Sequence, residues 1–258
     1  MKEHTLKFMD KELREDGRKL LEYRKPIKVE YGISPRSAEG SAKVTIGETV
    51  VVAGVKFEVG KPFPDSQDQG VLMVGVELIP MSNPEFESGP PSIEAIEISR
   101  VVDRAIRESH CMDMKKLCIK KGEKVWNILV DIYPLNDDGN LFDAASLAAI
   151  AALKDAKFPE YDTKTECVIY AKRTKTPLPL KEIPIEVTVV KIKGKFLVDP
   201  TIEEWKCLDA RLTVGTMENG TICAMQKGGS KSLSKDELGK MIDISTEYAK
   251  KLRKVLEK

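Results

Sequence analysis

Arg100, Arg104 and Arg107 stand four and three residues apart in a stretch, residues 92–109, whose apolar positions follow a helical period. At 100° per residue, Ile98, Val101, Val102, Ala105 and Ile106 share one side, and the three guanidiniums fall within about 60° of each other on the opposite side. Such a strip presents forked N–H donors suited to phosphate oxygens. A solvated face, or a subunit contact held by arginine–carboxylate pairs, uses the same pattern, and the stripe alone favours that plainer reading.

Other candidates are weaker. The turn Asp137-Asp138-Gly139-Asn140, followed by Asp143, lacks the order of a calcium loop and predicts a turn feeding a helix capped by Asp143. Lys227-Gly228-Gly229-Ser230-Lys231-Ser232 misses the phosphate-loop spacing, because Ser230 precedes Lys231, and predicts a glycine-rich strand-to-helix turn. Only His4 and His110 could supply imidazole, so no metal site is expected and no Ser-His-Asp or Cys-His set can be assembled. Cys111, Cys118, Cys167, Cys207 and Cys223 form no C-x-x-C pair, and their apolar settings predict buried, reduced thiols in a cytoplasmic protein.

The elements that must position these residues read as follows. Residues 1–24 carry Leu6, Met9, Leu13, Leu20 and Leu21 and predict a helical extension. Strands are expected over 40–58 as a hairpin turning at Gly47-Glu48, over 70–78, and over 124–132, with an Ala-rich helix over 144–157. Residues 172–184, basic and with three prolines, predict a linker. Strands over 185–192, 195–198, 210–214 and 221–226 come next. A helix over 235–257 then opens on the capping-box spacing of Ser234 and Glu237. Two halves, 25–171 and 185–258, thus each run strands then a long helix, the mark of an α+β pseudo-repeat.

The whole chain of 258 residues has 42 basic and 41 acidic side chains, a net charge of +1. That balance excludes a wholly basic nucleic-acid coat and an acidic tail protein. Locally it breaks down: residues 172–195 hold seven basic side chains against Glu182 and Glu186. No apolar run is long enough to span a membrane, and no secretory leader is expected.

Several motifs in order resemble the RNase PH family. These are Arg14-Glu15-Asp16-Gly17-Arg18, Glu39-Gly40-Ser41-Ala42, Glu97-Ile98-Ser99-Arg100, the stretch 131–153, and Gln226-Lys227-Gly228-Gly229 before a helix. Gly89-Pro90-Pro91, Ala95-Ile96-Glu97, Arg100-Val101-Val102-Asp103-Arg104 and Asp137-Asp138-Gly139-Asn140 are similar to one branch of it, the catalytically silent core subunit of the archaeal exosome ring. The resemblance implies two linked βαβα-type halves of the ribosomal-protein S5 domain 2-like fold. Active members follow the central Asp-Gly with Gly-Thr-Arg to hold phosphate. Here Asn140-Leu141-Phe142 follows, and Phe142 stands at the arginine's position. Active members also carry two Asp six residues apart; Asp199 matches the first and Trp205 replaces the second.

What the resemblance implies is a non-catalytic subunit paired with an active RNase PH-like subunit, three such pairs closing a hetero-hexameric ring. Phosphate, with magnesium as a further candidate, would be used by the active partner and no cofactor by this chain. Cap subunits with RNA-binding domains would sit on one face. Arg100 and Arg104 would contact single-stranded RNA, reversing the plainer reading of the stripe, with Arg107 left to an interface or the surface first and to RNA second. The alternative is a phosphorolytic 3′-to-5′ exoribonuclease in its own right, for which retained Asp199 speaks. A third reading is a scaffold without an RNA role.

Overall fold

The computed structural model describes residues 2–257. In the first half, β1 (Ile27–Tyr31), β2 (Gly40–Ile46), β3 (Thr49–Gly60), β4 (Val71–Val76), β5 (Cys118–Lys120) and β6 (Lys124–Asn136) build one sheet. Its order is β1-β2-β3-β6-β4, with β5 on β6. Neighbours are antiparallel except β4 and β6, which run parallel. A parallel pair needs a crossover, and α2 (Ile93–Glu108) supplies it. After β6 come α3 (Leu141–Asp155) and the hairpin β7 (Lys157–Asp162) with β8 (Cys167–Pro177).

The second half, β9 (Ile185–Ile192), β10 (Lys195–Val198), β11 (Ala210–Thr216) and β12 (Ile222–Gly228), is antiparallel throughout, in the order β10-β9-β11-β12. The short α4 (Ile202–Trp205) precedes β11, and α5 (Lys235–Val255) closes the chain after α1 (Lys2–Asp10) opened it. Helices α2, α3 and α5 each touch both sheets. Small side chains let α3 do so at close range: every residue from Leu141 to Leu153 is buried. Ser234 caps α5 through the expected reciprocal box with Glu237.

Four expectations need correction. The helix over 1–24 ends at Asp10, and Leu13 and Leu21 are exposed. Residues beyond it are spent on tertiary bonds: Leu20 accepts from the Val198 amide at 3.2 Å, and Arg14 and Arg18 reach the loop after β10. The linker over 172–184 is half strand. Residues 172–177 finish β8, with Arg173 opposite Pro159 and Pro177 opposite Lys157. The remainder is pinned, for Leu178 is buried and the Lys181 amide donates to Cys111. Asp143 does not cap α3; left-handed Asn140 (φ 57°) stands at that position, and Asp143 lies buried inside the first turn. The thiols are not uniformly buried: Cys111 and Cys207 are, Cys118 and Cys223 are half-buried, and Cys167 is exposed.

Candidate nucleic-acid interface and the filled central turn

The turn at Asp137–Asn140 is held by packing that only glycine permits. Gly139 has φ 99°, and a Cβ there would lie 2.8 Å from the Thr201 carbonyl carbon. The turn therefore sits directly on the start of α4, which carries Trp205. Phe142, in the first turn of α3, stacks on Trp205 with centroids 5.5 Å apart and planes 29° apart. The Arg211 guanidinium lies over Phe142 at 4.3 Å and near Trp205 at 5.3 Å. Its Nη2 pairs with Glu97 of α2 at 2.5 Å. The two replaced positions, Phe142 and Trp205, thus meet each other, and Leu141 beside them is buried. The aromatic pair offers a phosphate no donor, and the guanidinium above it is 5% exposed with Nη2 committed to Glu97, so the turn does not fit an incoming phosphate.

Asp199 is fully buried and in the left-handed region at φ 48°. Its Oδ2 accepts from Arg18 Nη1 at 2.9 Å, the Arg24 amide at 2.7 Å and Arg24 Nε at 2.9 Å. Its Oδ1 accepts from Arg24 Nη2 at 2.8 Å and Asn140 Nδ2 at 3.0 Å. Those donors use up the lone pairs of a carboxylate, so Asp199 does not fit a magnesium ligand. Arg14 adds a buried bidentate pair with Glu204, at 2.8 and 2.5 Å. Asp143 below the turn accepts from Tyr23 Oη (2.5 Å), Asn140 Nδ2 (3.0 Å) and the Thr188 amide (2.8 Å). Burial nevertheless raises its pKa to about 7. Among the described residues no group of three or more His, Cys, Asp or Glu is placed to hold a metal ion.

Helix α2 forms as its pattern predicts, with Ser92 accepting from the Ala95 amide and Ile98, Val102 and Ile106 buried. The structure divides its arginines. Arg100 is 64% exposed, and its one carboxylate partner among the described residues is Asp103 at 3.9 Å. Arg107 pairs with Asp103 at 3.0 Å and Glu108 at 3.5 Å. Half-buried Arg104 turns toward β12 and donates from Nη2 to Gln226 Oε1 at 2.6 Å. Beneath it Glu186 is buried and pushed up to about 8, chiefly by desolvation, with the Ser146 hydrogen bond and the Arg104 charge opposing. A neutral carboxyl leaves the charge of Arg104 uncancelled.

The positive excess over 172–195 is largely spent. Lys172, Lys181, Lys191, Lys193 and Lys195 pair with Glu160, Asp113, Glu237, Asp10 and Glu12. Sequence reasoning counted the bases and missed acids supplied from distant segments. It also missed Arg211, whose only signal was an arginine in an otherwise uncharged strand. The Lys227–Ser232 turn packs by its backbone: a Cβ on Gly229 would lie 2.7 Å from the Ala210 Cα.

The 3′ exoribonuclease family matches through both of its domain models, domain 1 over residues 23–159 and domain 2 over residues 182–248. The chain belongs to the RNase PH family. Within this family it is 46% identical over 253 residues to the exosome complex component Rrp42 of Methanosarcina acetivorans, covering 98% of this chain and 91% of the relative. A solved Archaeoglobus fulgidus exosome with RNA bound to the active site contains a chain that superposes with a TM-score of 0.90. That chain is 42% identical, over 98% of this chain and 96% of its own. A chain of a solved archaeal exosome core superposes at 0.87 with 38% identity, over 100% and 96%. No described helix is long and apolar enough to cross a membrane.

Proposed function

We propose that this chain is a non-catalytic ring subunit of an archaeal, cytoplasmic exosome. It pairs with an active RNase PH-like subunit in a trimer of heterodimers that also receives cap subunits with RNA-binding domains. The partner degrades single-stranded RNA from the 3′ end with phosphate, and with magnesium if a metal is needed. This chain supplies Arg100 and Arg104 to the RNA groove, contacting phosphates without reading bases. Likeness to curated exosome components over nearly the full chain supports the assembly. The observation behind the silence is the central turn, where Phe142 stands at the position of the phosphate-binding arginine and stacks on Trp205, with Arg211 over its ring. Asp199, the feature favouring phosphorolysis by the chain itself, is saturated by arginines.

The test is purified chain with labelled RNA and inorganic phosphate, alone and reconstituted with the active subunit. The lone chain is expected to release no nucleoside diphosphate, and the ring to release it in a phosphate-dependent way. Phosphate-dependent release by the lone chain would overturn the proposal.

A further inference from the structure

The filled turn and the arginine strip are joined by one continuous line of contacts. Arg211 lies on the Phe142 ring and pairs through Nη2 with Glu97 Oε1 at 2.5 Å. The same Glu97 oxygen accepts from Gln226 Nε2 at 3.2 Å. With its Nε2 committed there, the Gln226 amide presents Oε1 to Arg104 Nη2 at 2.6 Å. The order of donors and acceptors matters. A carboxylate only accepts, so Glu97 forces the NH2 end of Gln226 toward itself and the carbonyl end toward the guanidinium. Without Glu97 the amide is free to flip and set a donor against a donor.

The far end of this line is built to stay put. Arg211 is 5% exposed, and its Nη1 has no hydrogen-bond partner among the described residues. A guanidinium so placed is held by ring faces and by Glu97. Gly228 makes the room, because a Cβ there would lie 2.5 Å from Arg211 Nε.

We propose that Gln226, Glu97 and Arg211 are positioning residues for Arg104, and that Phe142 and Trp205 seat the base of that relay. The aromatic side chains at the two replaced positions thus anchor the RNA-contacting face of the same subunit. This rests on the reading that Arg104 meets RNA.

The experiment is a double-mutant cycle in the ring reconstituted with the active subunit, without phosphate so that RNA stays intact. Binding of a 5′-fluorescein single-stranded RNA is followed against salt. Arg104→Ala is expected to weaken binding about fivefold and to reduce the salt slope by about 0.7, the increment for one phosphate on a single strand. Gln226→Met changes no charge, yet is expected to lower affinity about threefold and to lose part of the same slope. In the Arg104→Ala background it is expected to add nothing. Glu97→Ala should behave alike; if it unfolds the chain, Gln226→Met, on a half-buried strand position, still decides. No effect of Gln226→Met in the parent ring, or an equal effect in both backgrounds, overturns the relay. An unchanged affinity on Arg104→Ala instead overturns the reading beneath it, and the relay falls with it.

Discussion

Arg14, Arg18 and Arg24 of the N-terminal arm, and Arg100, Arg104 and Arg107 of α2, are two sets of three arginines with opposite surroundings. The first set converges on Asp199 and Glu204, with guanidiniums almost wholly out of water. Each charge there has a carboxylate against it and carbonyls around it. The second set keeps much of its charge for something outside the chain, most of all at Arg100. A count of basic residues cannot separate the two. What separates them is whether distant segments deliver acids, and to α2 they deliver few.

The comparison can be broken most severely at Asp199. Asp199→Ala removes the one fully buried carboxylate that Arg18 and Arg24 share and leaves them Asp16 and Asp138, which are part-exposed. Breaking a buried pair costs roughly 3–5 kcal/mol, and the remaining partners put the loss near the lower end. Denaturant unfolding is expected to show a loss of that order; an unchanged midpoint would mean that Asp199 is spare and open to chemistry.

Glu186 probes the border between the sets. Its folded pKa, about 8, lies above the ordinary carboxyl value of 4.5. Between those values the folded state holds a proton that the unfolded state has lost. Stability therefore falls as pH rises through this window, by up to about 1.4 kcal/mol per unit. Glu186→Gln is expected to flatten that slope. It should also remove a fall in RNA affinity above pH 8, where the ionised carboxylate would begin to cancel Arg104. A wild-type profile with no slope between pH 5 and 8 would contradict the assignment.

Two smaller effects sharpen the division within α2. Arg100→Ala is expected to weaken RNA binding by the ring about threefold to fivefold, with a salt slope lower by roughly 0.7. Arg107 is already paired, so Arg107→Ala should change affinity by less than about twofold. Equal losses at both positions would show that the intrahelical pairs with Asp103 and Glu108 do not distinguish them.

Local pattern made much of the fold legible. The apolar period of α2, the strand stretches of β9 and β11, and the Ser234–Glu237 box are all local signals, and each element formed where expected. What escaped was set by partners far along the chain. Residues 11–24 leave the helix because the β10 loop claims Leu20, Arg14 and Arg18. The end of β8 is strand because β7 pairs with it, despite its prolines and lysines. The candidate site was legible as positions, since Phe142, Trp205 and Asp199 could be marked by resemblance. Its occupation was not. No spacing rule connects Arg211 to Phe142, 69 residues away, or Arg24 to Asp199, 175 away. Those pairings exist only once both sheets have closed on the helices.

Helix α3 lies against β2 and β3 on one side and β9 on the other. The two segments that match separate family domains are therefore not modules that can be cut apart. A fragment ending before β9 would leave one flank of α3 in water, and a fragment beginning at residue 182 would keep α5 on its sheet but lose α2 and α3 from it. Unfolding is therefore expected to take both matched segments together, since α2, α3 and α5 each pack on both sheets.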